Sequence, residues 1–169
     1  MSAPDSLSAR QPLDSYTGLV RVRVCGLLVQ KGALLLTSHR GLLPADAPFW
    51  SPPGGGWQFG ETIQDCLRRE FREETGLDVI VGRFLHLHEY GSADLQALEL
   101  FFEVTPEDAR AVPQLGHDPE HATEDQLLTN LAFVEPRQLI RLPASQVHPV
   151  LRQLISTDDV FIPQIRFQR

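Results

Sequence analysis

The stretch GGGWQFGETIQDCLRREFREETGL, residues 54–77, carries the strongest structural signal in the chain. Three adjacent glycines open it, and residues 62–75 then contain neither Gly nor Pro before Gly76. A run of this composition, followed by a glycine that can adopt the left-handed conformation, predicts a helix over residues 62–75 that ends at Gly76.

The apolar and acidic residues of this predicted helix share one face. At about 100° per residue, the apolar sector is formed by Ile63, Cys66, Leu67 and Phe71. Glu70 and Glu74 fall inside the sector and Glu73 at its border, whereas Arg68 and Arg72 point the opposite way. Carboxylates on a buried face are costly to desolvate and repel one another. A divalent cation would compensate that cost, and a carboxylate set without His or Cys suits Mg²⁺ or Mn²⁺ better than Zn²⁺.

The simpler alternative is a solvated helix whose glutamates pair with arginines one turn away. Asp65 with Arg69, and Arg69 with Glu73, have the spacing for such pairs. The glycines before the helix argue against this alternative, since glycines let the backbone approach an ion or a phosphate. The glycine run contains neither a Walker lysine nor a G-x-G-x-x-G pattern.

The stretch resembles the signature of the Nudix hydrolases. That signature is Gly, five residues, Glu, seven residues, then Arg-Glu-U-x-Glu-Glu-x-Gly-U, where U is a bulky aliphatic residue. The residues at these positions are Gly55, Glu61, Arg69, Glu70, Glu73, Glu74, Gly76 and Leu77. Phe71 departs from the pattern, since it is aromatic where the family has an aliphatic residue, but it is still bulky and apolar. The resemblance implies an α/β (α+β) fold, the Nudix-type α/β/α sandwich with a mixed central sheet.

The resemblance also implies roles for the matching residues. Those expected to hold Mg²⁺ or Mn²⁺ are Gly55, through its carbonyl, Glu70, Glu73 and Glu74. Arg69 would orient the glutamates, and Glu61 would support the site from the start of the helix. The catalytic set implied is Glu70, Arg69 and Glu74, with Glu70 the first choice of general base. In this family the base sometimes comes from a loop outside the signature, and the acidic segment 105–125 offers Glu120 and Glu124, as well as Asp118.

The activity implied is hydrolysis of the pyrophosphate linkage of a nucleoside diphosphate derivative by metal-activated water. The substrate would be a nucleotide, a nucleotide sugar or a dinucleoside polyphosphate, with nucleoside triphosphates and nucleotide sugars favoured. One alternative is a catalytically silent Nudix-fold domain that binds a nucleotide or acts as a sensor. Another is a non-hydrolytic enzyme such as an isopentenyl-diphosphate isomerase, which would need a cysteine and an acid outside the signature. The resemblance leaves a homodimer open.

Two groups of residues outside the signature are candidates for binding. Arg21, Arg23 and Arg40 are candidates for contacting substrate, although a solvated strand face is the simpler interpretation of each. His86 and His88 alternate along one predicted strand and are candidate ligands for a transition metal. The sequence places no third histidine beside them, so two histidines on a solvated face is again the simpler interpretation.

The remaining elements are predicted from local patterns. Residues 18–30 and 33–38 are expected to form a β-hairpin around a turn at Lys31-Gly32. Further strands are expected at 77–90, 95–104 and 127–134, short helices at 136–141 and 145–156, and irregular segments at 41–53 and 105–125.

Composition limits the class of protein. The 169 residues suit one domain, expected at residues 17–169 after a loose tail at 1–16 that has no apolar run. No segment approaches the run of about eighteen apolar residues that a membrane span needs. Cys25 and Cys66 are expected to be small buried residues in a reducing cytoplasm.

The net charge of −7 disfavours binding to duplex nucleic acid or to an anionic membrane. It is concentrated in two segments. Residues 61–76 carry five acids against three arginines, and residues 105–125 carry six acids against one arginine. An anionic small molecule remains compatible with this charge, because a metal ion can supply the positive charge that the side chains lack.

Overall fold

Strands dominate the part of the chain that the computed structural model describes, which is residues 18–44, 47–91, 95–116 and 126–167. The strands are β1 (Val20–Leu27), β2 (Val29–Gln30), β3 (Ala33–His39), β4 (Phe49–Ser51), β5 (Gly54–Gly56), β6 (Val79–Gly91), β7 (Gln96–Pro106), β8 (Leu128–Val134) and β9 (Gln164–Arg166). The α-helices are α1 (Ile63–Thr75) and α2 (Pro136–Leu139), and short 3₁₀ helices follow at Ala144–Gln146, Pro149–Leu151 and Thr157–Phe161. The predicted tail, residues 1–16, lies outside the described residues.

The strands form two sheets. The first is mixed and has the order β5-β1-β7-β6-β9, in which β1 is antiparallel to β5 and parallel to β7. In the same sheet β6 is antiparallel to β7 and parallel to β9. In the second sheet β3 pairs antiparallel with β2, β4 and β8. The strands predicted at 77–90, 95–104 and 127–134 are confirmed as β6, β7 and β8.

Both sheets lie in one middle layer. Leu34 and Leu36 of β3 pack into one buried cluster with Leu139 of α2 and the 3₁₀ segments, whereas Leu35 packs into a second cluster with α1. The layer is therefore covered by α1 on one side and by α2 and the 3₁₀ helices on the other. This is the expected α/β/α sandwich with a mixed central sheet.

The predicted hairpin forms only in part. Lys31 (φ 52°) and Gly32 (φ 77°) make the expected turn, and Val29 pairs with Leu34 across it. However, β1 does not pair with β3; it lies between β5 and β7 in the first sheet instead. The last four residues of β1 are buried, which fits a strand covered on both faces better than one arm of a solvated hairpin.

The C-terminal segment differs most from the prediction. No α-helix forms over residues 145–156, where two separate 3₁₀ helices occur. Pro149 explains the break, because proline has no N–H to donate within a continuing helix. The helix predicted at 136–141 is confirmed as the shorter α2. The sequence patterns missed β9, β5, which is formed by the glycine run, and β4, which lies inside the segment 41–53 expected to be a loop.

Both cysteines are free and buried, as expected. Burial raises the pKa of the Cys25 thiol and that of the Cys66 thiol to about 12. Each thiol is therefore protonated at neutral pH and behaves as an apolar group. Within the described residues, no helix combines the length and the apolar character that crossing a membrane requires.

Candidate metal and pyrophosphate site

Helix α1 presents its glutamates at fixed positions because both of its ends are defined. Thr62 caps the start, where its Oγ1 accepts a hydrogen bond from the Asp65 N–H at 3.1 Å. Gly76 ends the helix in the left-handed conformation, with φ 67°. Between these ends the apolar residues pack against the sheet, and Glu74 on the same face is only 9% exposed. The solvated-helix alternative is therefore wrong for this face.

Two glycines of β5 bring backbone against the carboxylates. The Gly54 N–H donates to Glu74 Oε2 at 3.0 Å. At Gly55 a β-carbon would overlap the carboxylate of Glu70, and at Gly54 a β-carbon would overlap the backbone of β1. Gly54 also has φ +146°, which side-chain-bearing residues rarely adopt. Gly54 therefore allows β5 to lie against β1, and Gly55 leaves room for the Glu70 carboxylate.

Arg69 joins the carboxylates of the signature. Its Nη1 donates to Glu70 Oε1 at 2.7 Å and to Glu73 Oε2 at 3.3 Å. Its Nη2 donates to Glu61 Oε1 at 3.0 Å. The Arg69–Glu73 pair forms as its spacing indicated, whereas Asp65 pairs with Arg68 at 3.7 Å rather than with Arg69. One guanidinium thus orders three carboxylates.

The site keeps an excess of negative charge. Glu61, Glu70 and Glu73 share the single guanidinium of Arg69, and Glu74, which accepts from the Gly54 N–H, adds a fourth carboxylate. Burial and the neighbouring Glu74 carboxylate raise the pKa of Glu70 to about 7, against the opposing effect of Arg69. The hydrogen bond from Arg69 lowers the pKa of Glu61. Because the Glu70 and Glu74 carboxylates repel each other, a bound cation would stabilise the cluster.

His39 is a neighbour of the site that the sequence analysis missed. It ends β3, and its Nε2 lies 3.7 Å from Glu74 Oε1. Its side chain is 16% exposed. His39 is far from the signature along the chain, so no local pattern of residues predicts their contact. The contact forms only because the second sheet places β3 beside the site.

The arginine candidates have different surroundings. Arg23 is partly buried and hydrogen-bonded: Nη1 donates to Glu99 Oε1 and Nη2 to the Gly54 carbonyl, both at 3.0 Å. The solvated-face expectation is therefore wrong for Arg23. Arg21 is half-buried and lines an open groove with Val22 and Trp57. The exposed Arg40 donates from Nε to the Gln126 carbonyl at 2.9 Å.

The acidic segment after β7 returns to the end of α1. The N–H of Gln114 donates to the Thr75 carbonyl at 2.8 Å, and that of Gly116 to the Glu74 carbonyl at 3.0 Å. Residue 116 therefore lies beside the last turn of the helix. Glu120 and Glu124, the candidate bases of this segment, lie outside the described residues.

The histidines of β6 are buried, so the expectation of a solvated face is wrong for them. His86 is 3% exposed, and its Nε2 lies 2.6 Å from the Val160 carbonyl. His88 Nδ1 lies 2.9 Å from Glu99 Oε2, and His148 Nε2 lies 2.8 Å from the same oxygen. The segment of 3₁₀ helices that follows α2 covers this face of the sheet. It supplies His148, the third histidine, which the sequence patterns did not place beside His86 and His88.

The comparisons with known proteins agree with this geometry. Residues 19–155 match the model of the NUDIX domain. A nucleoside triphosphatase NudI from Enterobacter sp. (strain 638) is 44% identical over 59 residues, which cover 33% of this chain and 40% of the relative. The NudI of Escherichia fergusonii is 44% identical over 64 residues, covering 36% of this chain and 43% of the relative. The chain thus spans about two fifths of the length of these curated relatives.

Solved structures show the same fold. A MutT protein from Methanosarcina mazei Go1 superposes with a TM-score of 0.61 at 18% identity, over 84% of this chain and 90% of that one. A MutT Nudix hydrolase from Burkholderia pseudomallei has a TM-score of 0.60 at 21% identity, over 80% of this chain and 98% of that one. Since the domain model spans most of the chain, and the residues of its signature meet in one buried carboxylate site, the protein belongs to the Nudix family.

Proposed function

We propose that this protein is a Mg²⁺-dependent hydrolase that cleaves the pyrophosphate linkage of a nucleoside diphosphate derivative. The observation that carries the proposal is the meeting of Glu70 and Glu74 against the Gly54-Gly55 backbone, with Arg69 paired to both Glu70 and Glu73. Such a cluster is unfavourable without a cation and well suited to one.

The donor set fits a hard divalent cation. Glu70, Glu73, Glu74 and the Gly55 carbonyl would hold Mg²⁺ or Mn²⁺, since carboxylate and carbonyl oxygens are the ligands that these ions prefer. A bound ion would neutralise pyrophosphate oxygens and lower the pKa of water. Arg69 orients Glu70 and Glu73, which places their oxygens before any ion arrives.

The side chains of the site also have properties that suit proton transfer. Without a bound ion, burial and Glu74 hold the pKa of Glu70 near 7, a value at which a carboxylate is able to accept a proton at neutral pH. Glu74 is oriented by the Gly54 N–H on one oxygen and lies near His39 on the other. We therefore keep Glu70 as the proposed general base, with Glu120 and Glu124 as the alternatives.

Nucleoside triphosphates are the first substrates to test. Support comes from the matched relatives, which are nucleoside triphosphatases. Nucleotide sugars and dinucleoside polyphosphates complete the panel, because the carboxylate site would engage the diphosphate that all of these molecules share. Arg21 and Arg40 stay candidates for contacting the rest of the substrate.

The test follows the nucleotide products of this panel with Mg²⁺ by chromatography, because only the triphosphates release free phosphate or pyrophosphate when they are cleaved. Glu70→Gln and Glu74→Gln are expected to lower kcat by about 10² or more, because each removes a charged oxygen from the site. Glu107→Gln, at an exposed acid just beyond β7, is the matched control and is expected to retain the wild-type rate. Circular dichroism would establish that all variants fold.

The outcome also separates the alternatives. A wild-type protein that binds a nucleotide but hydrolyses none of the panel would contradict the proposal and favour the silent binding or sensor domain. Full activity in Glu70→Gln would instead move the general base to another residue.

A further inference from the structure

We propose that Glu99 and Arg23 are positioning residues for the carboxylate site, which act by holding the Gly54 backbone that in turn holds Glu74. The inference rests on the proposed function, since it concerns how the same site is kept in order. Neither residue belongs to the Nudix signature, and Glu99 lies on a different strand from every residue of the signature.

The pairing of three strands brings Arg23 close to both Glu99 and β5. In the first sheet Arg23 of β1 lies in register with Gly56 of β5 on one side and with Glu99 of β7 on the other. Its guanidinium donates to Glu99 Oε1 from Nη1 and to the Gly54 carbonyl from Nη2, each at 3.0 Å. A planar guanidinium is suited to holding two acceptors at once.

Gly54 connects Arg23 to Glu74 through its backbone. Its carbonyl accepts from Arg23, while its N–H donates to Glu74 Oε2 at 3.0 Å. A β-carbon at this position would overlap the Val24 carbonyl, so β5 lies as close to β1 as backbone allows. A continuous path of hydrogen bonds therefore runs from Glu99 through Arg23 and Gly54 to Glu74.

Three side chains form hydrogen bonds with the Glu99 carboxylate. Oε2 is shared by His88 Nδ1 at 2.9 Å and His148 Nε2 at 2.8 Å, while Oε1 accepts from Arg23. The residue is 5% exposed. Burial alone would raise the pKa of Glu99, but the hydrogen bonds from His148 and His88, together with Arg23, hold it well below its usual range. Glu99 is thus an ionised partner for Arg23, and three hydrogen bonds orient its carboxylate.

A metal ion between His88, Glu99 and His148 is the competing interpretation, since their ligand atoms lie within 4.8 Å of one another. The hydrogen bonds argue against it. The Val150 N–H donates to His148 Nδ1 at 3.2 Å, so the neutral ring carries its proton on Nε2, which faces Glu99 as a donor and not as a ligand. Arg23 already balances the charge of Glu99, and a divalent ion would add uncompensated buried charge.

The experiment titrates the 169-residue chain with Mn²⁺ and follows binding by electron paramagnetic resonance, which does not depend on turnover. Glu99→Gln keeps the shape of the side chain and removes its charge. Arg23→Lys keeps the charge of the cation but loses the planar fork. Each is expected to raise the Mn²⁺ Kd by about tenfold or more, the usual cost of losing a residue that orients a ligand. The thermal midpoint of each variant is measured alongside.

Glu103→Gln is the matched control. Glu103 also lies on β7 and pairs with an arginine, Arg83, at 3.0 Å, but this pair is exposed and distant in register from Glu99. Its substitution is expected to leave the Mn²⁺ Kd at the wild-type value. If Glu99→Gln fails to fold, Arg23→Lys carries the test, because it keeps the buried charge pair.

The outcomes distinguish the inference from the proposed function. A lower thermal midpoint with an unchanged Mn²⁺ Kd in both variants would mean that the network only stabilises the fold, and would overturn the inference while the hydrolase stands. A wild-type protein that neither binds Mn²⁺ nor hydrolyses any nucleotide would overturn the proposed function, and the inference with it. Mn²⁺ binding that is lost in His148→Ala but intact in Glu70→Gln would place the ion at the histidines and likewise overturn the inference.

Discussion

Gly55 lies so close to Glu70 that a side chain at this position would displace the Glu70 carboxylate. In Gly55→Ala the β-carbon would overlap the Glu70 carboxylate. Because the carboxylate is the free end of a flexible side chain, we expect it to move aside at little cost to folding. Mn²⁺ affinity is then expected to fall by about tenfold or more, as measured by titration of the folded variant.

Gly82→Ala is the control for this substitution. Gly82 lies in β6, where the nearest atom to an added β-carbon would be 3.2 Å away, the Glu103 carbonyl oxygen. Its Mn²⁺ affinity should equal that of the wild type. Equal affinities in Gly55→Ala and Gly82→Ala would show that Glu70 has no part in binding the ion.

Arg69 acts through its shape as well as its charge. A lysine at this position would keep one positive charge but would not reach Glu61, Glu70 and Glu73 together. We expect Arg69→Lys to lower kcat by about 10- to 100-fold, measured with the best substrate of the panel. Arg68→Lys on the same helix, whose partner Asp65 lies at 3.7 Å, should retain activity.

The cap of α1 is the element-scale feature that is simplest to test. Thr62→Ala removes the oxygen that accepts from the Asp65 N–H, and it should lower the free energy of unfolding by about 1 kcal/mol. Urea unfolding measures this loss, and Thr62→Ser, which keeps a hydroxyl, should recover most of it. A Thr62→Ala protein as stable as the wild type would mean that water replaces the cap without cost.

Elements differ in how far local patterns predict them. Helix α1 agrees with its predicted bounds to within one residue, because the signals for its start, its apolar face and its end all lie within it. The hairpin prediction was half wrong, since a turn at Lys31-Gly32 specifies which residues reverse direction but not which sheet β1 joins. The helix predicted over 145–156 does not form, because Pro149 interrupts it. The signal is local, but the prediction followed the pattern of apolar residues and overlooked the proline.

At the scale of the whole molecule, buried histidines make stability depend on pH. Burial lowers the pKa of His86 and that of His148 below the ordinary value of 6.5. The unfolded chain therefore binds protons at a pH where the folded protein does not. Their contribution to stability is complete above pH 6.5 and is lost as the pH falls below it, by at most about 1.4 kcal/mol per pH unit for each histidine.

The prediction is checked by urea unfolding at a series of pH values from 7.5 to about 5. His86→Gln keeps a donor for the Val160 carbonyl but does not titrate, so its free energy of unfolding should fall less steeply with decreasing pH. The same slope in wild type and variant would show that His86 is protonated in the folded state as readily as in the unfolded chain.

The carboxylate set of the site was predictable from the sequence alone. Glu70, Glu73 and Glu74 belong to one helix, so the helical period places them on one face, and the Nudix signature identifies the same residues. Strands β6, β7 and β8 and the turn at Lys31-Gly32 followed from alternation and from turn residues in the same way. All of these signals are local, since the residues concerned are neighbours along the chain.

The surroundings of that site were decided only by the tertiary structure. Arg23 and Glu99 are 76 residues apart, and Glu99 and His148 are 49 apart, yet each pair is joined by a hydrogen bond of 3.0 Å or less. His39 likewise reaches Glu74 only because the second sheet folds beside α1. These partners are determined by the order of strands in the sheets and by the path of the C-terminal segment. Both depend on packing between distant segments, which no local pattern of residues encodes.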